Sequence, residues 1–378
     1  MIYADFNATT PLSPAATTAM KRAIDRWGNP SSAHEIGRHA KELLEQAREA
    51  VSQQIGVGPE ELVFTSGGSE ANSMVLLGSW LGCETPPFRL LTSEVEHSSV
   101  RDAADYLKER GANMQFVRLL PTGSIDLDYF EEQLEKFKPH LVSLMTANNE
   151  TGILFPVRQI WKLCSKCGIV FHTDAVQAFG KVHRSEWNVA DFISVSAHKI
   201  FGPKGVGALA VRRSQKLAST RFGGSQEKKR RSGTENMLGI AGFAGACSEL
   251  DGEDNWQRIR CLRDCFEKKL STQLDGIFFQ GAHAARIPNT TNVGFQGIAA
   301  EILLTALDLD GVCVSAGSAC FSGSSKPSHV LLALGLPPER AKECLRISWG
   351  RTTTDEEMDH AADRLISHVN RIRNRRSG

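Results

Sequence analysis

With 378 residues, 41% of them hydrophobic and 23% charged, the chain has the make-up of an ordinary globular protein of roughly two domains. A net charge of +1 gives no drive toward nucleic acid or an anionic membrane, and no apolar run approaches the ~18 residues that a membrane span needs. The nine cysteines are odd in number and scattered, and Met1 to Thr10 lacks a basic-then-apolar leader, so the expectation is a cytoplasmic protein with reduced thiols.

In chain order, Met1 to Pro14 is a lead-in and Ala15 to Trp27 is helical. Gly28 to Arg38 reads as a loop from its Gly, Asn, Pro and Ser content. A helix follows from Arg38 to Ile55, with Ala40, Leu43, Leu44, Ala47, Ala50 and Val51 at helical spacing. Glu61 to Gly78 reads as strand, glycine turn and helix, and Phe88 to Val100 repeats strand into helix. Met114 to Leu119 is a strand and Asp128 to Phe137 a helix. His140 to Gly152 is a buried strand followed by a polar loop. Val157 to Cys167 is helical, and Gly168 to Gln177 contains a strand ending at Asp174. The short apolar run Phe192 to Val195 is another strand, and Gly207 to Val211 the next. Strands alternating with helices predict an α/β fold, with a parallel sheet covered on both faces and ligands bound outside the carboxyl ends of its strands. Composition shifts near Leu250, and a further helix is expected over Asp355 to Ile372. The expected division is a large domain over 15–254, with 1–14 and 255–378 forming a smaller one.

The polar residues of interest fall at the predicted strand ends. Lys199 closes the strand that begins at Phe192, either as a surface lysine ending a strand or as a buried amine, which loses its charge readily, as a Schiff-base lysine must. Gly68 and Ser69 lie where a strand meets a helix, which suits either an anion or an ordinary helix cap at Ser69. No Gly-Lys-Ser/Thr follows, so the spacing is not a Walker loop. Asp174 at the end of an apolar strand calls for a cation, either a pyridinium nitrogen or an arginine. His97 suits a flat ring face or a structural hydrogen bond, and Asn149 and Gln177 are neutral donors at further strand ends. Lysine, aspartate, glycine–serine turn and imidazole together are the parts of a pyridoxal-phosphate site. Cys164 and Cys167 form a C-x-x-C with no second ligand pair, so no metal site is expected. Cysteines 83, 247, 261, 265, 313 and 344 read as buried apolar residues.

The stretches DFNATTP, GNPSS, FTSGGSEANS, VEHSSV, NNETG, HTDAVQAFGK, SAHKIFGPKGVGAL, RRSGTEN, SAGSAC and LRISWGR run in order over nearly the whole chain. In them the chain resembles the cysteine desulfurases of the NifS/IscS type, within the class V aminotransferase group of fold-type I pyridoxal-phosphate enzymes. The resemblance implies a large domain with a mostly parallel central sheet flanked by helices, plus a smaller α+β domain. It implies pyridoxal 5'-phosphate held covalently by Lys199. Asp174 would lie at the ring nitrogen, Gln177 and Asn149 at the ring hydroxyl side, and His97 over the ring as a proton carrier. Gly68, Ser69, Ser196 and His198 would hold the phosphate, with Thr234 reaching the phosphate of a partner subunit in a homodimer. Arg346, assisted by Asn29, would bind the carboxylate of L-cysteine, and Asn149 would lie near the substrate. Cys320, in the small-residue segment Val312 to Ser325, would take the sulfur as a persulfide. The length between Cys320 and Pro327 matches the branch that donates sulfur to an iron–sulfur scaffold. Phe321 departs from the small or hydroxylated residues frequent there, and Ser69 replaces a threonine. A selenocysteine lyase or another class V aminotransferase is the alternative within the same fold.

Overall fold

The computed structural model describes residues 1–250, 253–317 and 326–377. Cys320 and Phe321 lie outside the described residues. The chain opens with the short strand β1 (Ile2–Tyr3) and helix α1 (Pro14–Ile24), whose first turn is capped by the Ser13 hydroxyl accepting from Ala16 N. Helix α2 (Glu35–Ile55) begins three residues before the expected Arg38. His34 is the reason: its Nδ1 accepts from Gly37 N at 3.2 Å and so caps the helix. The helix stops at Gly56, whose φ of 82° suits glycine.

Strands β2 (Leu62–Thr65), β3 (Arg89–Thr92), β4 (Asn113–Phe116), β5 (Leu141–Ser143), β6 (Val170–Asp174), β7 (Phe192–Ser196) and β8 (Gly207–Val211) form a seven-stranded sheet ordered β2-β8-β7-β6-β5-β3-β4. The pairs among β3 to β7 are parallel, while β8 runs antiparallel to both β7 and β2. The strand expected at Gly207 is therefore present, but reversed. A parallel return needs a crossover of about a dozen residues or more, usually helical. The chain after Ser196 makes only a 3-10 turn, Ala197–Lys199, and an irregular bend before β8.

Helices α3 (Gly68–Leu81), α4 (Ser98–Glu109), α5 (Leu127–Lys136), α6 (Val157–Lys166) and α7 (Met237–Cys247) complete this part. Side chains alternate across the sheet. Leu62 and Phe64 of β2, with Ile193 and Val195 of β7, pack into one core with α2 and α5 to α7. Val63 and Phe192 pack into the other with α3 and α4. Each fully buried Phe, Leu, Ile or Val contributes about 1.5–3 kcal/mol, so covering both faces fixes the register of the strands that carry the site.

The rest comprises α8 (Glu253–Gln273), β9 (Ile277–Phe279), β10 (Thr290–Phe295), α9 (Ala300–Leu309), β11 (Val312–Cys313), α10 (His329–Ala333), α11 (Pro338–Ala341), β12 (Cys344–Ser348) and α12 (Asp355–Ser377). The last helix extends beyond the expected Ile372. An antiparallel sheet β12-β10-β9 and the parallel pair β1-β11 share a separate core. That core holds Ile259, Phe266, Phe295, Leu303, Ile347 and Val369, together with Ala4 from the chain's start. On this distribution we propose units of 15–254 and of 1–14 with 255–378. Ile287 and Val330 nonetheless pack into the larger core.

The cysteine expectation needs correction. Cys247 and Cys344 are buried, but Cys83 and Cys313 are half-buried, and Cys261 and Cys265 are exposed. The last two lie one turn apart on α8, on the face away from the buried Ile259, Leu262, Phe266 and Leu270. In the C-x-x-C, Cys164 is buried and Cys167 exposed.

Candidate active site

Strands β6 and β7 are parallel, with Asp174 paired to Ser194, so their carboxyl ends emerge side by side. Asp174 is the last residue of β6 and is buried. Ser196 is the last of β7, and the turn after it carries Lys199. The Lys199 amine donates to two backbone carbonyls, Asn7 O at 2.5 Å and Ala8 O at 2.8 Å. Burial, and then the Arg346 guanidinium, push its pKa down to about 8, against the opposing pull of Asp5 and Asp174. A fraction on the order of a tenth of this amine is therefore neutral at pH 7.

Near it, the turn from β2 into α3 meets the end of β7. Gly67 has φ 157° and ψ −178°, a conformation essentially confined to glycine, and it starts α3 without a side-chain cap. The helix thus begins at Gly68 rather than being capped by Ser69, and Ser69 is exposed. A Cβ at Gly68 would meet Val176 Cγ2 at 2.7 Å, and one at Gly207 would meet Gly67 Cα at 2.8 Å. Only glycine fits this close approach, and a helix start of this kind can receive an anion at its free amides. The Ser196 hydroxyl is buried with no partner among the described residues, which suits an acceptor oxygen supplied by a ligand. His198 is held neutral, its pKa lowered to about 4 by burial and then by Lys199, Lys204 and Lys181.

A hydrogen-bonded chain joins His97 to Asp174. Asn72 Nδ2 donates to Asp174 Oδ2 at 2.7 Å and to Ser99 Oγ at 2.9 Å. The Ser99 hydroxyl meets His97 Nδ1 at 2.8 Å, and Ser99 N donates to that same nitrogen at 3.1 Å. Since Ser99 Oγ already accepts from Asn72, its proton goes to Nδ1. The neutral His97 ring therefore carries its hydrogen on Nε2, assigned here from the network. His97 is exposed and caps α4. The other Asp174 oxygen accepts from Val176 N at 2.9 Å.

Arg346 enters from β12. Its side chain is buried, with Nη2 on Asp5 Oδ1 at 2.7 Å and Nη1 on Asn149 O at 3.2 Å, while Nε has no partner among the described residues. Asn149 and Arg346 are thus in contact, and Asp174, Ser196, His198 and Lys199 are brought together. Gln177 joins them by donating Nε2 to Asn7 O at 3.0 Å. Two of the expected residues stand apart. Asn29 is exposed, and its Oδ1 accepts from Ser31 N at 2.9 Å, closing a local turn with no bond to Arg346. Thr234 is exposed, between the 3-10 turn Gln226–Lys229 and α7, and takes no part in these hydrogen bonds.

Sequence reasoning missed Asn7, Asp5, Asn72 and Lys181 as individual members of the cluster. Asn7 is buried and binds outward in several directions: Nδ2 donates to Thr290 Oγ1 at 2.8 Å, and Oδ1 accepts from Asn289 Nδ2 and Lys181 Nζ at 3.1 Å each. Asp5, Asn7, Asn72 and Lys181 all fall within the motif stretches DFNATTP, FTSGGSEANS and HTDAVQAFGK, which was the available signal.

The family model for class-V aminotransferases matches residues 2–360. The chain belongs to the class-V aminotransferase family. It is 38% identical over 377 residues to the cysteine desulfurase IscS of Dictyoglomus turgidum, covering 98% of this chain and 95% of that protein. A solved NifS-like protein superposes with a TM-score of 0.89 at 31% identity, covering 98% and 99% of the two chains. SspA, solved in complex with cysteine, superposes with a TM-score of 0.82 at 30% identity, over 94% of this chain and 100% of that one. The mostly parallel sheet with its one reversed strand is the family's fold. The family is one of pyridoxal-phosphate enzymes, and the two solved proteins share the fold over nearly the whole chain.

Proposed function

We propose that the protein is a pyridoxal-phosphate-dependent cysteine desulfurase, converting L-cysteine to L-alanine while the sulfur atom passes to Cys320 as a persulfide. The observation that carries this reading is the meeting, at the carboxyl ends of β6 and β7, of a lysine amine lowered to about 8, a buried aspartate and a serine hydroxyl with no partner among the described residues. Those three groups fit the aldehyde, the ring nitrogen and the phosphate of the cofactor. Once bound, the cofactor supplies an electron sink for chemistry at the substrate Cα. Lys199 holds it covalently, and Asp174, kept in place by Asn72 and Val176 N, pairs with the ring nitrogen. Gly68, Ser69, Ser196 and His198 take the phosphate. Gln177 and Asn149 take the ring hydroxyl side.

The chain's own groups then divide the work. Arg346, with Nε still unpaired, binds the substrate carboxylate through its planar donors, with Asn149 beside it. Lys199, partly neutral near pH 7, moves the proton at the substrate Cα. His97, with its hydrogen on Nε2, stacks on the ring and moves a proton at the substrate. The Cys320 thiolate takes the sulfur, and the vacated carbon gains a proton, so L-cysteine and a thiol become L-alanine and a persulfide without any outside oxidant.

Thr234, on its exposed segment, would reach the phosphate of a second subunit, making the enzyme a homodimer. An iron–sulfur scaffold is the proposed sulfur acceptor, and the cytoplasm the proposed compartment. Among the described residues no helix is long and apolar enough to cross a membrane. The test is Cys320→Ser. The variant should keep the visible absorbance of the cofactor and lose alanine formation, and intact-mass measurement should show one added sulfur atom on the unaltered protein only. Full alanine formation by the variant would overturn the sulfur-transfer reading.

A further inference from the structure

Lys181 is a second amine within the cluster. It is buried, on the turn that follows β6, one helical turn after Gln177. Its Nζ donates to Gln177 Oε1 at 2.8 Å and to Asn7 Oδ1 at 3.1 Å, both neutral amide oxygens. No salt bridge to a carboxylate is made by this amine among the described residues, and the charged groups acting on it are the cations Lys199 and Arg346. His198 faces the same space and is itself neutral. An ammonium there would hold three donors against two amide acceptors, in a cationic surrounding and out of water. A neutral amine has two hydrogens and matches both acceptors. Burial and the Lys199 charge both drive the group that way, well below its ordinary value.

Those two hydrogen bonds settle how the neighbouring amides point. With Oε1 turned to Lys181, Gln177 must direct Nε2 to the other side, where one hydrogen goes to Asn7 O. The second hydrogen has no protein acceptor among the described residues. With Oδ1 held by Lys181 and Asn289, Asn7 directs Nδ2 to Thr290 and to Asn149 O. Its backbone carbonyl then serves Lys199 and Gln177 together. We propose that Lys181 is a positioning residue that works as an uncharged amine: it fixes the amide orientations of Gln177 and Asn7, and so aims the free Gln177 N–H at the cofactor's ring oxygen. This rests on the pyridoxal-phosphate reading above.

The experiment uses Lys181→Met, which keeps an unbranched side chain one atom shorter and removes its donors. The visible band of the cofactor-loaded protein is titrated with pH, because the proton on the lysine–cofactor linkage is stabilised less when the ring oxygen gains a hydrogen bond. Loss of the aimed Gln177 donor should raise the midpoint by about one pH unit, the size of one hydrogen bond to a charged oxygen. A midpoint equal to that of the unaltered protein overturns the proposal. Absence of any such band in the unaltered protein would overturn the cofactor reading itself, and the two failures are thereby told apart.

Thermal melts of both proteins without cofactor test the uncharged state. The unfolded chain holds the Lys181 proton up to about its ordinary 10.5 and the folded chain does not. The unfolded state therefore binds more protons, and the unaltered protein gains stability as pH rises toward that value. Lys181→Met should flatten that rise, and an equal slope in both proteins would overturn the neutral-amine assignment.

Discussion

The crevice has a cationic side and an acidic side, and both face the same difficulty of like charges under cover. On the first are Lys181, Lys199, Arg346 and His198; on the second are Asp174 and Glu96, a buried residue whose carboxyl feels the Asp174 charge. On the cationic side, Lys181 and His198 give up their protons and Lys199 does so in part. Lys199 is lowered to about 8, His198 to about 4, and Lys181 well below its usual value, with burial the leading cause in each. Arg346, which cannot do so, is offset by Asp5 at 2.7 Å. The acidic side answers by keeping one. Glu96 is wholly buried, and burial, with a further push from Asp174, raises its carboxyl to about 8. The hydrogen bonding differs as well. Lys181 and Lys199 each meet two acceptors. Glu96 Oε1 accepts from Met145 N and Ser93 Oγ, but Oε2 has no partner among the described residues. The comparison teaches that charge in this crevice is controlled chiefly by proton uptake and release, with one ion pair where release is impossible.

The hardest blow to the cationic side is Lys199→Ala. It removes the amine that would both carry the cofactor and move the substrate proton, so turnover of L-cysteine should fall by about 10²-fold to 10⁴-fold. Borohydride treatment should no longer attach cofactor to the protein. Attachment at another lysine would show that the amine had been misassigned.

Arg346→Lys sharpens the comparison by swapping the group that cannot lose its proton for one that can. The planar fork is lost and Asp5 is left with a point charge. Alanine formation should show kcat/KM lower by roughly 10-fold to 100-fold, mostly through KM, as expected when a charge-assisted pair of hydrogen bonds is weakened. An unchanged KM would remove Arg346 from substrate binding.

Glu96→Gln is the mildest and tests the acidic side. The folded-state value of about 8 lies above the ordinary 4.5, so the contribution of this group to stability is complete below 4.5 and is lost as pH rises toward 8. Glutamine keeps an acceptor for Met145 N and Ser93 Oγ and cannot ionise. The variant should melt like the parent near pH 4 and increasingly above it up to about pH 8, by a few kcal/mol at most. Parallel melting curves across that window would mean Glu96 is ionised in the folded protein.

Much of this was legible in the sequence because strand ends announce themselves. The apolar runs before Asp174 and Lys199 located both residues at a sheet's carboxyl edge, and the glycines after Ser66 located the turn into α3. The direction of β8 was not legible. A five-residue apolar strand reads the same both ways, and only the short connection from Lys199 decides it. Asn7 and Lys181 were overlooked because each owes its importance to partners remote in sequence: Asn289 and Thr290 for one, the charge of Arg346 for the other. The exposed Cys261 and Cys265 were misjudged by the habits of their residue type, where the helical face should have ruled. Asn29 was carried by resemblance alone, and its Oδ1 closes its own turn.

Asn7 has a mechanical consequence. One asparagine from the chain's start is pinned to β10 and β12 through Thr290 Oγ1 and Ser348 Oγ, and to the large sheet's edge through Lys199, Gln177 and Lys181. It is a rivet through two separately packed cores. A swing of one core against the other would load these bonds, and the reactive amine, held by the Asn7 carbonyl, would be loaded with them.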